Sequence, residues 1–366
     1  MTKPTMLTYI QQEQATMLKL LTAYPAAQTQ ALHDIDLSGD AWLILGIGSS
    51  YNAALSAKYY MEKTAGIRID LQQPYNFTHY EKIDPAVSVV LGVSQSGQST
   101  STIEAIERFK ANPQVATIAV TSAPEKELGA ATTRALDIGI GHEQVGYVSL
   151  GFTATVLSLM LLGLQVGVLR GLVSADQEAS ELAEFRQMAE NIDTIVARTT
   201  DFFKANEQDL HDAFQFTGIA YGPSVGSIKE METKFSETIR IPSDGQELEA
   251  FMHGPYLEIN PEHRLFFIET PAEAEVMTKA SELRAYEQSY TEHVFTINYT
   301  TSTISRDRVL NLPAVDDEFK IPFVGAIPFQ VLAWFGTRSR GIDLAHQIFT
   351  DFSDKVHNKT VKQDYV

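Results

Sequence analysis

Five hydroxyl side chains crowd into eight residues at Ser94-Gln-Ser-Gly-Gln-Ser-Thr-Ser101, and a second hydroxyl pair closes Gly46-Ile-Gly-Ser49-Ser50. Both stretches follow apolar runs and lead into helix-like ones. Chemistry of that kind suits an anion. Serine and threonine bring neutral donors, glycine lets an oxyanion approach the backbone, and free N–H groups at a helix start carry partial positive charge. Ser49, Ser50, Ser94, Gln95, Ser96 and Ser99 are therefore the candidate phosphate ligands. Serine also caps helices, which accounts for Ser49 or Ser50 equally well but uses only one hydroxyl of the 94–101 set. Gly46 and Gly48 supply two glycines of a dinucleotide fingerprint, but Tyr51 occupies the third place, and no Gly-Lys-Ser/Thr follows to make a P-loop.

A different set lies farther on. Glu230, Lys234 and Glu237 stand at i, i+4 and i+7, on one face of a helix, and His253-Gly-Pro255 follows sixteen residues after Glu237. Carboxylate, ammonium and imidazole are what aldose–ketose interconversion needs. A carboxylate moves a proton between C1 and C2, an imidazole assists ring opening, and an ammonium offsets the charge of an enediolate. A solvated stripe of ordinary salt bridges beside a turn histidine fits the same spacing.

The elements that must position these residues occur twice. At an offset of 174 residues, Trp42 falls on Phe216 and the strand-like run 42–48 on 216–222. Helical segments 51–63 and 227–238 follow. The runs 88–94 and 264–270 correspond within a residue or two, as do 116–121 and 293–298, and Gly151 and Gly167 fall on Gly325 and Gly341. Continuous Val/Ile/Leu runs alternating with helices indicate strands buried on both faces of a parallel sheet. The fold class is α/β: two tandem three-layer α/β/α sandwiches with mainly parallel sheets. An opening helix is expected over 8–24. The domains are read as 1–173, a connecting helix 174–198, and 199–366 including the tail. The hydroxyl loop has no copy in the second half, where Glu269-Thr-Pro-Ala-Glu273 replaces it.

Bulk properties narrow the function classes. A chain of 366 residues prefers two domains, and 28 Lys and Arg against 46 Asp and Glu give a formal charge of −18. Such a surface disfavours nucleic acid and anionic membranes, and it requires a phosphate site to be built locally, without lysine or arginine. There are no cysteines, which fits a reducing, cytoplasmic setting. No signal-peptide pattern opens the chain. The uncharged stretch 144–169 is long enough to span a bilayer, but its hydroxyls, its four glycines and the lack of flanking basic clusters favour a buried helix. No metal and no cofactor are expected.

Taken together, Gly48-Ser-Ser-Tyr51, Ser94-Gln-Ser-Gly-Gln-Ser99, Glu230-x-x-x-Lys234-x-x-Glu237 and His253-Gly-Pro255 resemble the isomerase half of glucosamine-6-phosphate synthase and its double-SIS relatives, the fructosamine-6-phosphate deglycases among them. The resemblance runs from about residue 25 to the end. It implies that Ser50, Ser94, Gln95, Ser96 and Ser99 hold a sugar phosphate. Glu237 would shuttle the proton and Lys234 would lie near the reacting carbons. His253 would open the ring, reaching into the site of a partner subunit in a homodimer. Glu143 falls near a sugar-binding segment, although Val148-Ser-Leu150 stands where the family has Ser-Thr-Lys. A tail lysine able to form a Schiff base is also implied, and Lys355 is the expected residue.

The reaction expected is isomerisation or deglycation of a 6-phosphorylated ketose or ketosamine. Amination with free ammonia or a separate glutaminase subunit is the alternative, since the family's glutaminase cysteine has no counterpart here. A non-catalytic sugar-phosphate regulator is the alternative of another class.

Overall fold

The computed structural model describes residues 3–304, 307–361, 363 and 365. The chain forms two compact units. The first comprises Ala15–Gln187 and His346–Val366 together with the extreme N-terminus, and the second comprises Thr5–Gln14 and Met188–Ala345. These boundaries differ from the sequence expectation at both ends: residues 5–14 count with the second unit and the tail with the first. The expected connecting helix is two helices, Ala175–Glu190 and Ile192–Ala205, interrupted at Asn191. The former is tied to its own unit, where Tyr24 and Tyr60 hydroxyls donate to Glu178 and Glu181 at 2.7 Å each. The expected opening helix is likewise two pieces, Met6–Ile10 and Glu13–Ala23.

In the first unit the strands are β1 (Ala41–Leu45), β2 (Arg68–Gln72), β3 (Val87–Val93), β4 (Ala116–Thr121) and β5 (Arg134–Asp137). All pair in parallel, in the order β2-β1-β3-β4-β5. β1 and all but one residue of β3 are buried outright, as a sheet covered on both faces demands. One face carries a cluster of Leu43, Leu45, Val90, Ala105, Ile106, Phe109 and Leu128.

The Ser49–Ala65 helix packs against the Leu150–Leu169 helix. Their approach is close because Gly167 has no Cβ, which would otherwise fall 2.5 Å from the Thr64 carbonyl oxygen. The Leu150–Leu169 helix is long and apolar enough to cross a membrane. Residues Leu150 through Gly167 are all buried within the protein, so its apolar character is that of a core helix.

The second unit repeats the plan with β6 (Phe216–Ala220), β7 (Ser243–Glu247), β8 (Arg264–Glu269), β9 (Val294–Asn298) and β10 (Val309–Asn311). Its order, β10-β9-β8-β6-β7, is the first unit's order read from the other edge. The internal repeat therefore extends to topology. Its core is a phenylalanine stack in which Phe266 lies 5.1 Å from Phe295 and 5.8 Å from Phe329, while Phe235 meets Phe216 edge-on at 4.9 Å. Rings at these separations add about 0.5–1.5 kcal/mol per pair beyond the area they bury.

Candidate active site

A doubly wound sheet binds ligands at the carboxyl ends of its strands, where the strand order reverses. In the first unit that point lies between β1 and β3, and the two hydroxyl loops are the segments that leave those two strands. Gly48 is the N-cap of the Ser49–Ala65 helix, so Ser49 and Ser50 occupy its first turn rather than capping it. Ser99 is the N-cap of the Thr100–Glu107 helix but makes no side-chain cap bond. Neither helix start is thus capped by a serine side chain, although the Thr100 N–H already meets the Asn358 carbonyl at 3.4 Å.

The serine loop is tightly built. The Gly97 N–H donates to the Ser94 carbonyl at 3.0 Å, and the Gln95 carbonyl accepts from the Ser122 N–H and hydroxyl at 3.0 and 2.8 Å. Gly97 has φ +67, and a Cβ there would sit 3.0 Å from the Ala123 carbonyl oxygen, so only glycine makes this turn unstrained. Ser94 and Ser99 are buried, at 3% and 5% exposure.

Glu143 accepts from the Ser149 N–H at 2.9 Å, the Ser149 hydroxyl at 3.2 Å and the Gly151 N–H at 2.9 Å. The Gln95 amide approaches it at 3.4 Å. This buried carboxylate thus serves the start of the Leu150–Leu169 helix, where it complements the dipole, and links that helix to the serine loop.

The tail bears on one expectation. Lys355 lies exposed on the short Phe352–Val356 helix. The lysine that reaches the serine loop is Lys359, whose ammonium donates to the Ser96 hydroxyl at 3.0 Å. Burial pulls its pKa below the ordinary lysine value. An antiparallel bridge joins Lys359 to Ser99, and the Thr360 N–H donates to the Gln98 carbonyl at 3.1 Å. The loop is thus not free of cations, as net charge alone had suggested. The available signal was the tail's pattern: Lys355 belongs to a helix-forming run, whereas the Thr360-Val361 that follows Lys359 is β-branched and suits strand-like pairing.

In the second unit, Glu230 and Lys234 are not a solvated stripe. Their side chains are 0% and 1% exposed, while Glu237 is 38% exposed. Lys234 Nζ lies 3.4 Å from Glu230 Oε1 and donates to Glu237 Oε2 at 2.7 Å. A buried ammonium is tolerable only when paired in this way. His253 stands apart from the three, its side chain 74% exposed and its Nε2 3.2 Å from Glu249 Oε1. Bonds from Lys279, and then from His253, hold the Glu249 carboxyl below the usual range. The second unit's own reversal point, between β6 and β8, is occupied. There the Thr270 N–H and hydroxyl meet the Tyr221 hydroxyl at 3.1 and 3.2 Å, and the Thr270 hydroxyl also lies 3.2 Å from Glu318 Oε2.

Comparison with known proteins agrees with this architecture. Residues 40–168 match the SIS domain model. The isomerizing glutamine–fructose-6-phosphate aminotransferase of Gloeobacter violaceus is 26% identical over 303 residues, covering 82% of this chain and 49% of that protein. The chain thus spans about half the length of the curated relatives it matches. A solved structure provisionally assigned as a phosphosugar isomerase of Clostridium difficile 630 superposes with a TM-score of 0.87 at 23% identity, covering 96% of this chain and 98% of that one. The C-terminal domain of glucosamine-fructose-6-phosphate aminotransferase from Francisella tularensis superposes with a TM-score of 0.82 at 20% identity, covering 93% and 97%. Residues 40–168 thus match the SIS domain, and across nearly its whole length the chain shares the fold of these two solved structures.

Proposed function

We propose that this protein interconverts or deglycates a 6-phosphorylated ketose or ketosamine by moving a proton between C1 and C2. The observation that carries the reading is the serine loop at the first reversal point, with the Lys359 ammonium on the Ser96 hydroxyl. That loop offers what a phosphorylated sugar needs: hydroxyls of Ser94, Ser96 and Ser99, the Gln95 amide, and first-turn N–H groups with Ser49 and Ser50.

In this reading Glu237 takes the proton from one carbon and returns it to the other, and the adjoining Lys234 ammonium offsets the negative charge that builds on the enediolate oxygen. His253 transfers the proton that opens the ring, acting on the sugar held by a second copy of the chain in a homodimer. Lys359, rather than Lys355, takes the part of the tail lysine. Its lowered basicity leaves more neutral amine to condense with the open-chain C2 carbonyl, with loss of water.

The test is solvent exchange. Incubated in deuterium oxide with fructose 6-phosphate and with ketosamine 6-phosphates, the protein should introduce deuterium at C1 of one of them, read by proton NMR. Binding with no exchange at carbon in any such compound sinks the reading and favours a sugar-phosphate regulator. The curated relatives' aminotransferase activity supports a second reading, amination of fructose 6-phosphate. Formation of glucosamine 6-phosphate when ammonium is supplied, alone or by a glutaminase subunit, separates it from the first.

A further inference from the structure

The tail meets the serine loop through more than Lys359, and the residue that gathers these contacts is Glu127, which plays no part in the proposed chemistry. Glu127 begins the short Glu127–Ala131 helix after β4, and the neighbouring Leu128 N–H donates to the Gly97 carbonyl at 2.9 Å, which fixes Glu127 beside the loop. One carboxylate oxygen accepts from the Thr360 hydroxyl at 3.0 Å, and the other accepts from the Gln98 side-chain amide at 3.2 Å. The same Gln98 amide lies 3.4 Å from the Thr360 hydroxyl, and its carbonyl oxygen accepts from the Gln363 amide at 3.2 Å. Its own backbone N–H, then Thr360 and Gln98, hold the Glu127 carboxyl below the usual range.

We propose that Glu127 is the clasp that seats the C-terminal tail on the serine loop, and so a positioning residue for Lys359. It bridges a residue of the loop, Gln98, and a residue of the tail, Thr360, that flanks Lys359 directly. On the far side of Lys359 the Thr100 hydroxyl donates to the His357 carbonyl at 2.8 Å and the Thr100 N–H to the Asn358 carbonyl at 3.4 Å. Lys359 is thereby held from both sides, with Glu127 supplying a carboxylate on the Thr360 side. That the seated amine then meets a sugar rests on the functional reading above; the clasp itself does not.

The experiment is hydrogen exchange read by mass spectrometry on the full chain, in peptides covering the tail and the 94–100 loop, with no substrate present. Glu127→Ala should speed exchange in the tail about tenfold, as expected for losing hydrogen bonds to a charged acceptor. Thr360→Val, which leaves the Thr360 N–H to Gln98 bond in place, should do the same. The double variant should exchange more slowly than the sum of the two single effects predicts, because both variants remove the Glu127–Thr360 contact. Glu127→Gln, which keeps an oxygen for the Thr360 hydroxyl, should rescue part of the protection, as a purely structural role in the Glu127–Ala131 helix would not. Should Glu127→Ala disturb that helix, Thr360→Val reads the contact from the tail side. Tail exchange unchanged in both single variants, or fully additive in the double, overturns the clasp. Because no turnover is measured, a protein that proves inert toward sugar phosphates still returns the clasp's own answer.

Discussion

The two reversal points, one per unit, are built from the same strand order and have opposite fates. Between β1 and β3 the chain leaves the sheet through hydroxyl-rich loops whose donors are held at helix starts beside a lysine from the tail. Between β6 and β8 the corresponding donors are spent internally, on the Tyr221 hydroxyl and Glu318. Tyr221 stands, by the 174-residue offset, where the first unit has Ile47, yet Ile47 is 44% exposed and Tyr221 6%. Turning that one side chain inward fills a crevice that the fold would otherwise leave for a ligand. The second unit instead gathers its buried charges on a helix face, in the Glu230, Lys234 and Glu237 set to which the proposed chemistry is assigned.

If the division holds, variants in the two units fail in different ways. The largest effect is expected at Glu237. Glu237→Gln should lower kcat by roughly two to four orders of magnitude, the usual worth of a positioned general base, with the phosphate loop's affinity preserved. Unchanged turnover on the true substrate ends the proton-transfer role of Glu237.

Next comes the tail. Lys359→Met should lower kcat/KM about ten- to a hundredfold by removing a charged donor at Ser96, while Lys355→Met should stay within about twofold. Equal losses at the two lysines would mean that the contact with Ser96 does not matter in solution.

These two lysines also show what the sequence made legible. Buried strands such as β1, β3, β6 and β8 were readable because a sheet covered on both faces needs unbroken apolar runs. β7, Ser-Asp-Gly-Gln-Glu, is an edge strand with no apolar residue, and β10 has only three residues, so neither gives an apolar run to read. The hydroxyl loop was legible because donors must cluster within one turn. The choice between Lys355 and Lys359 was only hinted at by the β-branched Thr360-Val361, since it depends on a non-local pairing between residues 99 and 359. The burial of Lys234 was hidden for a similar reason: i, i+4 spacing sets a shared face but not what covers it.

A smaller and reciprocal pair of effects tests the comparison itself. Ser96→Ala should raise KM about tenfold with little change in melting temperature. Tyr221→Phe should leave KM alone and cost about 1–3 kcal/mol, because the Thr270 N–H and hydroxyl lose the partner they were buried with. Enzyme assays beside thermal unfolding of each variant decide it. If Tyr221→Phe instead changed sugar-phosphate affinity, the second crevice would be a binding site and the contrast between the units would collapse.

The last effect concerns pH and stability rather than turnover. Along the Ala274–Glu287 helix the buried residues are Ala280, Leu283 and Glu287, whereas the helix after β3 in the first unit buries Thr102, Ala105 and Ile106, none of them ionisable. Glu287 is 1% exposed, with Oε1 lacking a hydrogen-bond partner, and burial pushes its carboxyl up to about 7. The folded chain therefore holds this proton more tightly than the unfolded chain, whose glutamates titrate near 4.3. Its contribution is fully present below about pH 4 and fades as pH rises, until above about pH 7 it is gone. Glu287→Gln should remove this dependence, gaining up to about 4 kcal/mol over wild type at pH 8 and nothing at pH 4. Urea unfolding of both proteins at the two pH values measures the difference. The gain should fall in the second unit's transition alone; if the two curves run parallel across pH, Glu287 is solvated in solution and the second unit's core is as inert to protons as the first's.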